Sequence, residues 1–140
     1  MLKINQENML SALRMPLDEG GLSGETILCP IYCSFAFKDE FLPMTSVIYG
    51  YAAITTENRL AFASFNALGQ VHKYGAYRLE KPTKLKISKC FSVRTFKMTF
   101  DDNGKRRRMQ INANKRVFGS NLAEQETNLA EFAGRMSELQ

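Results

Sequence analysis

The chain has 140 residues, the commonest size for one domain, and 44% of them are hydrophobic, which is enough to build a core. Its formal net charge of +5 is moderate, so charge alone neither requires nor excludes an acidic partner. No apolar stretch approaches the ~18 residues that a membrane span needs, and polar residues interrupt the first fifteen positions, so we expect a soluble chain without a secretion signal.

The N-terminal part of the chain, 1–24, is predicted to be an extension that precedes the main domain, 25–140. Apolar residues recur at helical spacing between 5 and 14, which predicts a short helix in the extension. Pro16 is expected to end this helix, because proline has no backbone N–H and its ring clashes with the preceding turn.

The next segment, 25–37, has the period of a β-strand with one buried face. Its apolar residues occupy the odd positions: Ile27, Cys29, Ile31, Cys33, Phe35 and Phe37. Pro30 cannot donate a hydrogen bond to a neighbouring strand, so this strand is expected to lie at a sheet edge or to contain a bulge.

The middle of the chain predicts four more strands. The segments 46–55 and 59–66 are rich in β-branched and aromatic residues, and the three residues between them predict a hairpin. A less regular strand is predicted at 71–79, and Pro82 separates it from another predicted strand at 84–93.

A second hairpin is predicted around Asn103 and Gly104, because both residues tolerate the positive φ of a two-residue turn. The strands on either side are 95–100 and 105–111. The resulting register pairs Asp102 with Lys105, Asp101 with Arg106, Met98 with Met109, and Phe96 with Ile111. Opposite charges then face each other and apolar residues share a face, so the register is self-consistent.

The last segment, 122–139, is predicted to be an amphipathic helix. Its apolar residues fall on one stripe: Leu122, Leu129, Phe132, Ala133, Met136 and Leu139. Asn121 and Glu124 occupy the positions of an N-cap and its reciprocal capping partner, which places the helix start at 122.

Seven strands followed by one long helix predict a mainly β or α+β domain. The expected architecture is a seven-stranded antiparallel barrel or sandwich, capped at an open end or face by the amphipathic C-terminal helix. No internal repeat, low-complexity tract or linker divides the chain, so one domain is expected after the extension.

The order of elements resembles a known family, and two short strings support the resemblance. These are Thr-Thr-Glu-Asn-Arg-Leu-Ala-Phe at 55–62 and Leu85-Lys86-Ile87 at the start of the fifth strand. The chain from 25 to 139 resembles the bacterial pleckstrin-homology-like (PH-like) domains, in particular the YokE-like PH domain group. The resemblance implies two nearly orthogonal antiparallel sheets of four and three strands, with the C-terminal helix closing one end.

Positive charge is concentrated in one part of the chain, 81–116. This segment has twelve Lys and Arg residues and two acids, a net charge of +10, whereas the rest has seven and twelve, a net charge of −5. Five of the cations are predicted to cluster on adjacent strands as a site for an anionic partner: Lys84, Lys86, Lys97, Arg106 and Arg108. An acidic partner would relieve their mutual repulsion, although screening by salt also allows a solvated cationic face without a ligand.

Residues suited to catalysis or metal binding are sparse. His72 is the only histidine, so a cluster of histidine ligands is excluded within one chain. Cys29 and Cys33 are ~13 Å apart along an extended strand, too far for a disulfide, and are predicted to be buried thiols. With Cys90 the cysteines are odd in number, which favours a reducing compartment and hence the cytoplasm. No catalytic residue, cofactor or metal site is predicted.

These features favour a non-catalytic binding or assembly module of PH-like fold that contacts a protein partner or a second copy of itself. The alternative is binding of nucleic acid or another anionic ligand through the basic strand surface of residues 84–108. Nucleic acid is the less favoured partner, because Phe91, Phe96 and Phe100 are predicted to face the core rather than to stack on bases. A third hypothesis is an enzyme with a site around His72.

Overall fold

The computed structural model describes residues 4–39, 48–66, 68–79, 84–102, 105–117 and 122–138, without the side chains of 37–39, 84, 100–102 and 105–107. The described residues form two helices and seven strands. In chain order these are α1 (Gln6–Glu19), β1 (Ile27–Asp39), β2 (Ile48–Thr55), β3 (Arg59–Phe65), β4 (Val71–Arg78), β5 (Lys84–Cys90), β6 (Val93–Asp102), β7 (Lys105–Asn114) and α2 (Gln125–Ser137).

The strands form one sheet with the order β4-β3-β2-β1-β7-β6-β5, and all neighbouring strands are antiparallel. The prediction of a mainly β chain with seven antiparallel strands and a C-terminal helix is confirmed. Within the described ranges β4 and β5 are the edge strands and do not pair with each other, so the sheet is not closed into a barrel. β1 is the central strand.

The two predicted hairpins are present. The β6–β7 register pairs Asp102 with Lys105, Asp101 with Arg106, Met98 with Met109, and Phe96 with Ile111, as predicted. The predicted turn residues, Asn103 and Gly104, lie outside the described residues. The strand predicted at 84–93 is wrong at its end, because the chain turns at Phe91 and Ser92.

Apolar side chains are buried in two clusters, one on each face of the sheet. Side chains alternate along β2 and β3, so Ile54 and Phe62 point to one face while Tyr51 and Ala61 point to the other. The first cluster, which we call the inner core, also holds four more large side chains: Phe35, Phe96, Phe132 and Met136. The second, the outer cluster, joins this sheet to α1 through Met9, Leu13 and Leu17.

β1 contains a bulge at Pro30, one of the two outcomes that the sequence predicted. Its pairing with β2 shifts between Leu28 and Ile31, and Cys29 has a positive φ of 40°. A bulge changes the side-chain alternation, so Ile27 packs against the outer cluster while Cys29 and Ile31 lie in the inner core. The prediction that Ile27 shares their face is therefore wrong.

α2 packs on the inner core through the apolar stripe that its sequence predicted. The stripe residues it buries are Leu129, Phe132, Ala133 and Met136. The helix begins at Gln125 rather than 122, because Leu122 packs against the outer cluster on the opposite face of the sheet. Glu124 is the N-cap itself and makes no side-chain capping bond. Further predicted positions lie outside the described residues or side chains: Phe37, Phe100, Asn121 and Leu139.

The side chain of Gln125 joins the start of α2 to the backbones of two strands. β1 and β7 pair as far as Ser34 and Asn112, and the pairing ends there. Beyond that point Gln125 Oε1 accepts a hydrogen bond from the Tyr32 N–H at 3.0 Å, and Nε2 donates to the carbonyls of Tyr32 at 2.9 Å and Asn114 at 3.0 Å. The buried amide thus replaces the hydrogen bonds that the separated strands no longer make with each other.

A second amide from α2 satisfies the bulge. Asn128 Nδ2 donates to the Pro30 carbonyl at 2.9 Å. Because a bulge leaves backbone groups without a ladder partner, this bond removes a cost that burial would otherwise impose. Gln125 and Asn128 therefore fix α2 against β1 through polar contacts, while its apolar stripe faces the core.

α1 packs across the outer face of the sheet, so the predicted extension contacts the main domain. The strand residues that face it are small, which allows close approach: Ala53, Ala61 and Ala63. Arg14 donates to the carbonyls of Glu25 at 2.6 Å and Ser23 at 2.8 Å, and the Tyr74 hydroxyl donates to Glu19. No helix in the described part of the chain is long and apolar enough to cross a bilayer.

The helix continues through Pro16 to Glu19, so the prediction that Pro16 ends it is wrong. Proline within a helix costs about 3 kcal/mol. Pro16 is itself buried, and the extra turn places Leu17 fully within the outer cluster, where burial contributes roughly 2 to 3 kcal/mol. The burial therefore offsets the missing hydrogen bond.

The string at 55–62 forms the β2–β3 hairpin and holds a buried carboxylate. Glu25 accepts hydrogen bonds from Thr55 Oγ1 at 2.6 Å and from Arg59 Nε at 3.0 Å. Thr55 Oγ1 also accepts from the backbone N–H of Arg59 at 3.2 Å. These residues bind the segment before β1 to the hairpin, so their observed role is structural.

Replacing Gln125 by Ala should lower the free energy of unfolding by about 3 kcal/mol, because backbone groups of Tyr32 and Asn114 lose their partners. Gln110→Ala is the control, since Gln110 is half-buried and makes one described hydrogen bond; it should cost less than about 1 kcal/mol. Chemical denaturation measures both. Equal losses would contradict the role given to Gln125.

Candidate binding surface on the outer face

The outer face of the sheet has two parts with different surroundings. α1 packs against β1 to β4, and α2 packs on the inner core. The outer face of β5, β6 and β7 is a separate surface beside α1. The cations predicted from the sequence lie on these three strands.

Cross-strand pairing places the five predicted cations on one face. Lys86 pairs with Lys97, which pairs with Gln110, two residues from Arg108. Since residues two apart on a strand share a face, Lys86, Lys97 and Arg108 are neighbours, and all three side chains are exposed. We call these three the cationic strip. The backbone register also places Lys84 and Arg106 on this face, although their side chains are not described.

The strip holds like charges close together. Directly opposite residues have Cβ atoms about 5 Å apart and diagonal neighbours about 7 to 8 Å. Lys97 is therefore next to both Lys86 and Arg108. Among the described side chains, none of the three forms a salt bridge with a carboxylate. Their repulsion is reduced by salt but not cancelled by a described partner.

A sixth cation on this face was missed by sequence reasoning. Lys38 on β1 pairs with Arg108 on β7, so the backbone places it in the same row. The pairing of the first strand with the last has no local sequence signal. The charge row therefore extends by register across four strands, from β5 to β1.

A groove of about 290 Å³ lies on the same outer face, at the end of the β1–β7 pair. Its aromatic wall is formed by Tyr32 and Tyr49, whose rings are stacked with centroids 6.1 Å apart and planes 9° apart. Tyr49 is 55% exposed. Ser34 and Asn112 also line the groove, and Arg116 adds a positive charge to its lining.

Hydrogen bonds orient the amide of Asn112 in this groove. Its Oδ1 accepts from Thr95 Oγ1 at 2.8 Å and from Gln110 Nε2 at 3.2 Å. The groove thus combines an aromatic wall, an oriented amide and one cation. Sequence reasoning did not identify it, because β1, β2 and β7 meet here only through the fold; the aromatic residues at 32, 49 and 51 were the available signal.

The three cysteines and the histidine differ in their exposure. Cys29 and Cys33 are buried as predicted, and burial raises the pKa of the Cys29 thiol to about 11 and that of Cys33 well above its usual value. Both thiols therefore stay protonated and weakly nucleophilic at neutral pH. Cys90 and His72 are exposed. Within the described ranges, no three His, Cys, Asp or Glu residues are grouped to hold a metal ion.

Comparison with known proteins gives no relative: no family model, no curated protein and no solved structure matches the chain. The geometry and charge of the strip and the groove are therefore the basis for assigning a function.

Replacing Lys97 by Gln should raise the free energy of unfolding by up to about 0.5 kcal/mol at low salt, because Lys97 has two cationic neighbours. The gain should shrink as salt is added. Lys115→Gln is the control, since Lys115 lies 4.0 Å from Glu126 and should show no such gain. Denaturation at two salt concentrations measures both. A loss of stability in Lys97→Gln would contradict the repulsion described for the strip.

Proposed function

We propose that this chain is a non-catalytic binding module of PH-like fold that contacts an acidic protein surface through the cationic strip. The observation that carries the proposal is the set of adjacent exposed cations, Lys86, Lys97 and Arg108, for which no described carboxylate is a partner. An acidic surface would lower the free energy of a sheet that holds these charges together. A cytoplasmic location remains a prediction from the sequence.

The PH-like arrangement is part of this proposal. The sheet is continuous, and its strand order runs from β4 to β1 and then from β7 to β5, an order that a four-plus-three division at the β1–β7 pair would require. α2 follows the last strand and covers the inner core, as the C-terminal helix of the family would. Two nearly orthogonal layers would place the cationic strip on one layer and α1 on the other.

A protein partner is favoured by the edge of the sheet as well as by charge. β5 is an edge strand beside the strip, so it offers backbone groups for the addition of a partner strand. A second copy is one such partner, since the chain outside 81–116 is net negative. α2 and the residues that cap it expose four carboxylates: Glu124, Glu126, Glu131 and Glu138.

Single-stranded nucleic acid is the second candidate, and one observation favours it. The stacked pair Tyr32 and Tyr49 lies on the same outer face as the strip, and exposed aromatic rings beside cations are typical of surfaces that bind single strands. Phe96 is buried as predicted, so it takes no part. The tyrosines, rather than the phenylalanines, are the residues that would stack on bases.

Titration with a fluorescent polyglutamate peptide and with an oligothymidylate tests both candidates. We expect the wild-type chain to bind the peptide at low salt and to release it as salt rises. Lys97→Gln should weaken peptide binding about fivefold, because one close cation is worth up to about 1 kcal/mol. Arg78→Gln, which removes an exposed charge from β4, should change it by less than about twofold.

The outcomes separate the candidates. If neither polyanion binds at low salt, the strip is not a binding surface and the proposal is wrong. Tighter binding of the oligothymidylate, weakened by Tyr49→Ala, would favour nucleic acid. Solution mass by light scattering tests self-association: an oligomer that dissociates with salt would support it, and a monomer at high concentration and low salt would remove it.

A further inference from the structure

The turn between β5 and β6 carries a large apolar side chain that is not packed in either apolar cluster. Phe91 is 94% exposed, whereas the sequence predicted that it would face the core. Cys90 pairs with Val93, so Phe91 and Ser92 are the two residues of a tight hairpin turn. A single exposed apolar residue is common in proteins, and exposure alone would carry no conclusion.

The backbone of this turn makes the residue unusual. Phe91 has φ of +56°, in the left-handed region where a bulky side chain is disfavoured and glycine is preferred. Glycine is also the residue favoured at the first position of a two-residue hairpin turn with positive φ. Phenylalanine at this position therefore opposes folding and gains no burial from it. A residue with these two properties indicates contact with another molecule rather than a role in folding.

Four cations surround the same turn. Lys89 and Arg94 face each other at the base of the hairpin. The N–H of Lys115 donates to the carbonyl of Ser92 at 3.2 Å, which brings Lys115 and Arg116 beside the turn. We call Phe91 with Lys89, Arg94, Lys115 and Arg116 the basic tip. One carboxylate also lies at the basic tip, because Glu126 forms a salt bridge with Lys115 at 4.0 Å.

The cations lie on both faces of the hairpin. Lys89 and Arg94 alternate onto the side opposite to Cys90 and Val93. Arg116 lies on the other side, where it lines the outer groove together with Val93. Phe91 is at the end of the hairpin, where these two faces meet. A flat anionic surface placed across the end of the hairpin would contact all of these charges and the aromatic ring at once.

We propose that the basic tip is a membrane-docking site, in which Phe91 inserts into the interfacial region of a bilayer and the four cations contact anionic lipid headgroups. Aromatic side chains are stable at this depth, and juxtaposed cations add electrostatic attraction to an anionic leaflet. Neither one aromatic ring nor a few charges gives firm attachment alone, so the combination is what makes the site effective. The proposal is independent of the cationic strip.

Sedimentation of the full chain with lipid vesicles tests the proposal. We expect binding to vesicles of phosphatidylcholine with phosphatidylserine and little binding to phosphatidylcholine alone. Phe91→Gly should reduce partitioning about tenfold while its unfolding temperature stays the same or rises, because glycine suits the turn. This opposite effect on binding and stability separates a docking role from a structural one.

Tryptophan fluorescence gives a second readout, because the chain contains no tryptophan. Phe91→Trp should show an emission shift to shorter wavelength when phosphatidylserine vesicles are added. Leu68→Trp is the matched control: Leu68 is 81% exposed on the β3–β4 connection, and its emission should not change. Equal shifts at both positions would overturn the proposal.

Charge variants distinguish the tip from the strip. Lys89→Gln should weaken vesicle binding about fivefold, whereas Lys86→Gln on the strip should have a smaller effect. The proposal is overturned if Phe91→Gly binds vesicles as the wild type does, or if the strip variant alone abolishes binding. It is also overturned if the wild type does not bind phosphatidylserine vesicles at low salt. The exposure of Phe91 would then be explained by its insertion into an apolar pocket of a partner protein.

Discussion

The fold depends on how β1 ends its pairing with β7. Beyond Ser34 and Asn112 the two strands separate, and the side chain of Gln125 supplies both a donor and an acceptor to backbone groups that have lost their partner strand. Without this amide, polar groups of the central strand would be buried without partners, at a cost of about 1 to 3 kcal/mol each. The same contact fixes the start of α2, and Asn128 extends it to the bulge at Pro30. The position of α2 over the inner core therefore follows from a polar requirement as well as an apolar one.

This arrangement also decides which surface is left for partners. α2 takes the inner face, and α1 takes the outer face of β1 to β4, where alanines let it approach the sheet. By register, the outer face of β5 to β7 carries five of the twelve cations found between 81 and 116. Strand pairing holds those cations at fixed spacing, which costs stability in the free chain and favours binding of an acidic surface. The turn at Phe91 is a second place where a surface residue opposes folding, because a bulky and exposed side chain there has a positive φ.

Local features of the fold could be predicted from the sequence. The β6–β7 register followed from Asn103 and Gly104 and from charge pairing. The bulge at Pro30 was one of the two outcomes predicted from its missing N–H, and the other, an edge position, was not found. The turn at Phe91 was missed because no glycine or asparagine marks it. The helix start at Gln125 was missed because a capping pattern three residues earlier is a local signal, whereas the bonds of Gln125 to β1 and β7 are long-range.

The candidate site was predicted in part. The alternation of Lys86 and Lys97 and the hairpin register with Arg108 bring together three cations that sequence periodicity could identify. Lys38 and the Tyr32–Tyr49 wall depend on pairing between distant strands, which no local pattern specifies. The burial of β2 and β3 on both faces was visible as nearly continuous apolar runs, but these runs do not say which element covers them.

Amide hydrogen exchange with and without polyglutamate tests the central claim most directly, because it locates the contact surface without assuming a variant. The account predicts slower exchange in β5, β6 and β7 when the peptide is bound, with β5 most affected because it is an edge strand. The amides of α1, β2 and β3 should be unchanged. Protection confined to those elements, or absent throughout the chain at a peptide concentration that saturates binding, would contradict the assignment of the cationic strip as the binding surface.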